Sequence, residues 1–458
     1  MKGGNKEELF ERYPIPKAVA TLAIPTVLSS LVMVLYNLAD TYFVGMINNP
    51  VQNAAVALAA PVLLAFNAVN NLFGVGSSSM MSRALGRKEY EVVSQSSAFG
   101  FYSAVFFGAL LALFCTVFRT PLLEVLGADA QTAQATSEYM FWTVTCGAVP
   151  AILNVVMAYL VRSEGSAMHA SIGTMSGCFL NMILDPIFIL PWGLNMGAEG
   201  AGLATFISNC VACIYFFILL FVKRGNTYVC ISLKKFTMNK KIVLGVCTVG
   251  IPASIQNLLN VTGTTILNNF TSSFGADAVA AMGISQKVYM VPMQISMGLS
   301  QGIMPLLSYT YASGNIKRMK KTLKFAVKVA LSFIVAIAVF FFVASGFVTS
   351  LFMDNEVIIG YGSRLLRGFS LGLPFLCMDF IAVGVFQSVG MGREALLFAI
   401  LRKIVFEIPC LFIMNAIFPL YGLPYAQVIA EIVLAVTGII VLKRFFKRTE
   451  KQFHCMNE

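Results

Sequence analysis

The sequence is poor in charged residues and in histidine. Charged residues make up 12% of the 458 residues and hydrophobic residues 58%, whereas a soluble domain carries about 25% charged residues. So little polar surface excludes a water-soluble protein and leaves lipid as the main solvent. The chain holds two histidines, His169 and His454, which argues against a histidine-based zinc site or catalytic triad.

Motifs of several other classes are missing as well. There is no phosphate-binding GxxxxGK[ST] loop, so the chain does not encode ATP coupling. Ten-residue segments of alternating polarity are also absent, which excludes a transmembrane barrel. No small-residue cleavage site follows the first apolar run, and we predict a retained helix there. Cys210 and Cys213 form a CxxC pair inside an apolar run without a partner pair, and we interpret the cysteines as packing residues.

Long apolar runs predict an all-α membrane protein with twelve transmembrane helices. A helix needs about 20 apolar residues to cross the hydrocarbon core, and in lipid its backbone groups must be bonded internally. We place the spans roughly at 18–45, 54–81, 92–118, 136–160, 168–191, 200–222, 242–270, 278–308, 325–347, 365–388, 395–418 and 424–442.

Positive charge is unevenly distributed between the two sides of these spans. The formal net charge is +11, and most Lys and Arg fall in the two termini or in the connections after the even-numbered spans. Arg119, Arg364 and Arg367 fall on the opposite side. This pattern follows the positive-inside rule and predicts that both termini are cytoplasmic. We expect the basic residues to meet anionic lipid rather than nucleic acid.

The chain repeats itself once. Ile24-Pro25 in the first span recurs as Ile251-Pro252 in the seventh, and Ala55-Val56-Ala57 recurs as Ala278-Val279-Ala280. We therefore predict two six-helix lobes, 1–232 and 233–458, joined by the polar segment 223–241. Because six is an even number, both lobes have the same orientation and are related by an axis along the membrane normal. Parallel repeats of this kind usually enclose a binding cavity.

Ionisable residues at membrane depth are costly, and we treat each one as a functional candidate. The predicted spans contain the carboxylates Asp40, Asp185, Asp379, Glu407 and Glu431.

The carboxylates of the first lobe have polar neighbours at helical spacing. Tyr36 precedes Asp40 by four residues, and Asn181 precedes Asp185 by four, so each pair shares a helix face. Thr205 follows a glycine-rich segment that permits close helix approach. Two carboxylates, an amide and a hydroxyl are suitable ligands for Na⁺, and without Na⁺ a carboxylate pair retains a proton. The alternative is that these groups only hydrogen-bond neighbouring helices.

The second lobe is more ambiguous. Glu407 is predicted to pair with Lys403 or Arg402, and Asp379 and Glu431 are candidates for either a functional or a structural role. The amides Asn154, Gln256, Asn257 and Asn260 are candidates for lining a substrate cavity or for ordinary interhelical contacts.

These residues resemble the multidrug and toxic compound extrusion (MATE) family over about residues 18–443. The resemblance is carried by Ala39-Asp40-Thr41, Ser82-Arg83-Ala84-Leu85-Gly86, Arg162-Ser163-Glu164-Gly165, Leu180 to Pro186, and Gly298-Leu299-Ser300-Gln301-Gly302. The Asn-x-x-x-Asp-Pro form of the fifth span is most similar to the MepA-like branch of bacterial drug exporters.

The resemblance implies a V-shaped pair of lobes and cation-coupled drug export. It also implies a cation site at Asp40, Asn181, Asp185 and Thr205, with Tyr36 and Tyr139 nearby. Asp379 matches an acid that other members use in the second lobe. The seventh-span acid of those members is missing here, and amides around Asn260 stand in its place, which favours the first lobe.

We therefore expect a secondary active antiporter in a bacterial cytoplasmic membrane that exports amphipathic, often cationic compounds in exchange for Na⁺ or H⁺. We expect no enzymatic activity, no cofactor and a monomer in contact with lipid. The alternative is a lipid-linked oligosaccharide flippase, which should direct several Arg or Lys at its cavity to bind a pyrophosphate. A non-transporting receptor or scaffold would leave the paired carboxylates unexplained.

Overall fold

The computed structural model describes residues 4–455, with the side chains of residues 6–451. The outermost residues of both predicted lobes and the side chain of His454 lie outside this part of the chain. The α-helices are α1 (Gly4–Glu11), α2 (Ile15–Met46), α3 (Pro50–Asn70), α4 (Gly76–Gly86), α5 (Tyr90–Val117), α6 (Arg119–Val125), α7 (Ala133–Met140), α8 (Ala148–Ser163), α9 (Ala167–Ile189), α10 (Ala198–Val222), α11 (Lys240–Ser272), α12 (Ala276–Ala312), α13 (Ile316–Val343), α14 (Ser345–Ser350), α15 (Glu356–Val389), α16 (Gly392–Ile400), α17 (Ile408–Ile417) and α18 (Leu423–Cys455).

In the described part of the chain, three π-helical segments connect consecutive α-helices, and one turn residue, Gly147, separates the second segment from α8. They are Asn71–Val75 between α3 and α4, Phe141–Cys146 between α7 and α8, and Leu401–Glu407 between α16 and α17. π-Helical segments are rare and often occur at functional sites. A 3₁₀ turn, Leu233–Lys235, lies in the connection between α10 and α11.

Each predicted span falls mainly on helical residues, which confirms the all-α membrane fold. Among the described residues, nine helices are long and apolar enough to cross a membrane, and the segments Ala133–Cys146 and Ala148–Ser163 together form a tenth candidate that is bent by 48°. The predicted spans 278–308 and 395–418 do not pass the same test. The first lies on α12, and the second contains the charged residues Arg402, Lys403 and Glu407 in the π-helical segment Leu401–Glu407.

The chain forms two compact units. The first contains the chain up to Arg12 together with Leu28–Ser254, and the second contains Tyr13–Val27 together with the chain from Ile255 onward. In the first unit α9 packs against α10 and α5 against α8; in the second, α15 packs against α12 and α18. The predicted lobe limits, 1–232 and 233–458, stay a prediction.

Helix α1 is fixed to the first unit by a buried carboxylate. Glu164 forms an ion pair with Lys6 and accepts hydrogen bonds from the Thr227 hydroxyl at 3.0 Å and the Tyr228 backbone N–H at 2.6 Å. Burial lowers the pKa of the Lys6 ammonium, and the negative charge of Glu164 opposes this shift only in part. Phe10 is fully buried. The N-terminal helix and the connection after α10 therefore share one anchoring point.

Candidate cation-coupling site

Helices α9 and α10 bring Asn181, Asp185 and Thr205 into direct contact. We assign the Asn181 amide so that its nitrogen donates to Asp185 Oδ2 at 2.7 Å and its oxygen accepts from the Thr205 hydroxyl and backbone N–H, both at 3.2 Å. In the opposite orientation, the amide oxygen would face only acceptors. Asp185 is 0% exposed and Asn181 2%, so a buried carboxylate is held by a buried amide.

Asp40 on α2 completes the cluster from another helix. Its carboxylate is close enough to Asp185 for the two negative charges to interact. Both carboxylates also act electrostatically on the phenols of Tyr36 and Tyr139. Tyr139 is buried, while Asp40 and Tyr36 are half-buried. The structure thus brings together the six residues that the sequence and the family resemblance place at the cation site, and their role in coupling stays a prediction.

Glycines in α10 allow the close approach that places Thr205. A Cβ at Gly202 would lie 3.0 Å from the Tyr139 carbonyl oxygen, and one at Gly200 would lie 2.6 Å from the Phe188 carbonyl oxygen. Gly197 begins the helix with φ +60°, and the next N–H, that of Ala198, donates to Gln52 Oε1 at 2.8 Å. A larger residue at position 202 would push α10 away from α7, the helix that carries Tyr139 of the site.

The chemistry of this cluster suits an exchangeable cation. The cluster contains two acids, and it differs in this from a site of three or more His, Cys, Asp or Glu side chains that could hold a metal ion, of which the described residues contain none. Asp40 and Asp185 are two acids that interact without a basic partner among the described ion pairs. Two like charges in a poorly solvated interior repel, and a bound proton or Na⁺ relieves this repulsion.

The buried carboxylates Asp379, Glu407 and Glu431 of the second unit are instead paired with basic residues. Arg402 lies 3.3 Å from Asp379 Oδ2 and 2.7 Å from Glu431 Oε1, and Lys403 lies 2.7 Å from Glu407. All five side chains are buried. The predicted pairing of Glu407 with Lys403 is confirmed, whereas the Arg402 bridge between two other helices has no counterpart in the prediction.

The π-helical segment Leu401–Glu407 supplies three of these five residues. Three carboxylates face two cations, so the cluster has one excess negative charge when every group is ionised. A Cβ at Gly263 on α11 would lie 3.0 Å from the Lys403 Nζ, so the seventh predicted span packs directly on the cluster. Protein side chains, rather than an exchangeable ion, supply most of the counter-charge in this unit.

The predicted cavity amides differ in their contacts. The Asn154 amide nitrogen donates to Asn209 Oδ1 on α10 at 2.8 Å, which is an interhelical contact. Gln256 accepts from Gln387 at 3.5 Å. Asn257 and Asn260 are half-buried, and their place in a substrate cavity stays a prediction.

Several parts of the site could not be found by reasoning from the sequence. Asn209 and the bridging position of Arg402 depend on which helices pack together, and no local pattern indicates this. The π-helical segments at Phe141–Cys146 and Leu401–Glu407 also carry no sequence signature. The one available signal was charge: Arg402 and Lys403 stand within a predicted span, where basic residues need partners.

The fold and its buried acids define a multi-pass integral membrane protein whose two halves repeat. The MatE family model matches the chain twice, at residues 25–187 and 252–413, and these matches begin at the two prolines of the predicted repeat. The chain therefore belongs to the MatE family.

Relatives and solved structures agree with this membership. The multidrug export protein MepA of Staphylococcus aureus (strain MRSA252) is 32% identical over 434 residues, which cover 94% of both chains. MepA of Staphylococcus haemolyticus (strain JCSC1435) is 33% identical over 436 residues, again 94% of both. An outward-facing multidrug resistance MATE transporter of the MOP superfamily is 26% identical, with a TM-score of 0.90 over 98% of this chain and 100% of that one.

Proposed function

We propose that the protein is a secondary active antiporter that exports amphipathic, often cationic compounds in exchange for H⁺ or Na⁺. The observation that carries this proposal is the pair of interacting carboxylates in the first unit, the half-buried Asp40 and the buried Asp185. The relatives named as multidrug export proteins support the substrate class. Transport needs no resident cofactor, and we expect a monomer.

Coupling follows from charge neutralisation. When both acids are ionised, the two carboxylates repel each other and together attract a cation. When one proton or Na⁺ is bound, the negative charge of the pair is reduced by one. Asn181 holds Asp185 in place through its amide nitrogen and is itself fixed by Thr205. The energy of the ion gradient then favours the conformation in which a cationic compound is released and the ion is taken up.

We place the protein in a bacterial cytoplasmic membrane with both termini in the cytoplasm. The distribution of Lys and Arg supports this orientation, and the relatives named above are bacterial. The flippase alternative is not favoured, because it needs basic residues that are free to bind a pyrophosphate. Arg402 and Lys403, two of the basic residues within the predicted spans, are engaged by Asp379, Glu431 and Glu407.

Export of ethidium from everted vesicles tests the proposal. Vesicles with the wild-type protein are given an imposed H⁺ gradient or an imposed Na⁺ gradient, and ethidium transport is followed by fluorescence. We expect transport with one of the two gradients and its loss in Asp40→Asn and in Asp185→Asn. Glu124→Gln, an exposed carboxylate substitution, serves as the matched control and should transport normally. Wild-type transport by either Asp variant would contradict the assignment.

A further inference from the structure

A basic groove lies between α13 and the C-terminal part of α18, both in the second unit, and shares no residue with the candidate coupling site. It forms an open cavity of about 360 Å³. Lys320 and Lys324 line one side, Lys443 and Lys447 the other, and Phe446 and Leu323 contribute apolar lining. Phe446 is 8% exposed, so the cavity has a packed apolar side beneath a rim of ammonium groups.

The charges of this groove are not balanced by the described residues. Lys320 and Lys324 are spaced i, i+4, as are Lys443 and Lys447, and like charges at this spacing repel. Glu450 is the one acid in the lining and accepts from Lys320 Nζ at 2.6 Å. None of the described ion pairs involves Lys324, Lys443 or Lys447. Packing of two helices does not require lysines without acidic partners at their interface. A bound anion would reduce the repulsion between these lysines.

The position of the groove along the helices indicates the kind of anion. In α13 the lysines precede a run whose apolar side chains are exposed, such as Val329 and Phe333. In α18 they follow exposed apolar residues such as Val436 and Ile440. The groove therefore lies where outward-facing apolar surface meets basic surface. Basic pockets between membrane helices at such a boundary bind the headgroups of anionic lipids.

We propose that this groove is a binding site for an anionic phospholipid. Lys324, Lys443 and Lys447 hold the phosphate of the headgroup, with Lys320 shared between the phosphate and Glu450. The acyl chains continue along the apolar faces of α13 and α18. Leu323 and Phe446 contact the glycerol region of the lipid. This apolar lining beneath the charges favours a lipid over a free phosphate ion, which has no apolar part to bury.

Lipid binding to the purified full-length protein in a neutral detergent tests this proposal. Phosphatidylglycerol, phosphatidylcholine and inorganic phosphate are the three probes, and binding is measured by native mass spectrometry for the lipids and by competition for phosphate. We expect phosphatidylglycerol to bind more tightly than phosphatidylcholine and more weakly as salt rises. Removal of two lysines in Lys324→Gln/Lys447→Gln should weaken phosphatidylglycerol binding about 25-fold, at roughly 5-fold per lysine.

Two further variants make the result specific. Lys234→Gln/Lys240→Gln removes the same charge from exposed lysines of the first unit and should leave binding unchanged. Lys324→Arg/Lys447→Arg keeps the charge and should bind within a few-fold of wild type. Equal binding of the two lipids, equal losses in both Gln variants, or displacement of the lipid by stoichiometric inorganic phosphate would each overturn the proposal.

Discussion

Arg402 holds together the buried charges of the second unit. Its guanidinium contacts carboxylates on two different helices, Asp379 on α15 and Glu431 on α18, and it also lies over the ring of Phe380 at 5.3 Å. The loss of one partner from a buried ion pair is costly because the remaining charge stays desolvated without compensation. The Arg402 side chain therefore matters for stability whether or not this unit takes part in coupling.

Replacement of Arg402 by leucine should strongly destabilise the protein. We expect Arg402→Leu to lower the free energy of unfolding by about 3–5 kcal/mol, because two buried acids lose their shared counter-charge. In Arg402→Leu/Glu431→Leu, part of this loss should be recovered. Thermal or denaturant unfolding in detergent measures both variants, with Arg393→Leu at an exposed position as the control. An Arg402→Leu protein as stable as the control would show that the ion pairs contribute little.

The sequence predicted the residues of the first unit better than those of the second. Asp40, Asn181 and Asp185 could be found because charge and amide groups at helical spacing stand out in an apolar run. The Lys403–Glu407 pair was found for the same reason, since its partners are four residues apart. The Arg402 bridge joins residues 23 and 29 positions away from it in sequence, and such pairing depends on helix packing that no local pattern encodes.

At the scale of single helices, the glycines of α10 position the candidate site. A Cβ at Gly202 would meet the Tyr139 carbonyl at 3.0 Å, and this backbone atom belongs to the turn that leads into a π-helical segment. Thr205 lies three residues further along α10 and contacts Asn181. Displacement of α10 at Gly202 would therefore reach the Asp185 carboxylate through two side chains.

Gly202→Ala tests this dependence. Because a backbone oxygen cannot move aside as a side chain can, we expect the variant to lose about 1–3 kcal/mol of stability and to export more slowly. Gly45→Ala is the matched control, since a Cβ there meets nothing within 4 Å, and alanine is the better helix former. Thermal unfolding and ethidium export are measured for both. If Gly202→Ala matches Gly45→Ala in both measurements, the close approach of α10 is not needed.

Helix interruptions were the part of the fold that the sequence did not predict. All twelve predicted spans fall mainly on helical residues, because the length and hydropathy of an apolar run determine where a membrane helix forms. The π-helical segments inside three of these spans were not predicted, since Asn71–Val75 and Phe141–Cys146 have the composition of any apolar helix. In Leu401–Glu407 the buried charges coincide with the interruption, which suggests that the altered spacing serves to bring Arg402, Lys403 and Glu407 to their partners.

At the scale of the whole molecule, the two halves share one plan but differ in their charges. The family model matches both halves. The first carries two interacting acids without a basic partner among the described ion pairs, while the second carries acids paired with Arg402 and Lys403. This difference between the halves is why we propose the cation site in the first half.

The orientation of the whole chain is a separate prediction. If the basic connections face the cytoplasm, a green fluorescent protein fused after Glu458 should be fluorescent, because it folds in the cytoplasm. Alkaline phosphatase fused at the same place should be inactive. The opposite pair of results would place the termini outside and would reverse the direction of transport that we propose.

The central claim is that Asp40 and Asp185 bind the ion that is exchanged for substrate. The most direct test measures ion release when ethidium is added to the purified protein in weakly buffered detergent solution, with a pH-sensitive dye for H⁺ and with ²²Na⁺ for sodium. We predict that the wild type and Arg393→Leu release one of the two ions on binding ethidium, and that Asp40→Asn and Asp185→Asn bind ethidium without this release. Ethidium binding by the wild type that releases neither ion, or undiminished release from the Asp185→Asn protein, would contradict the account.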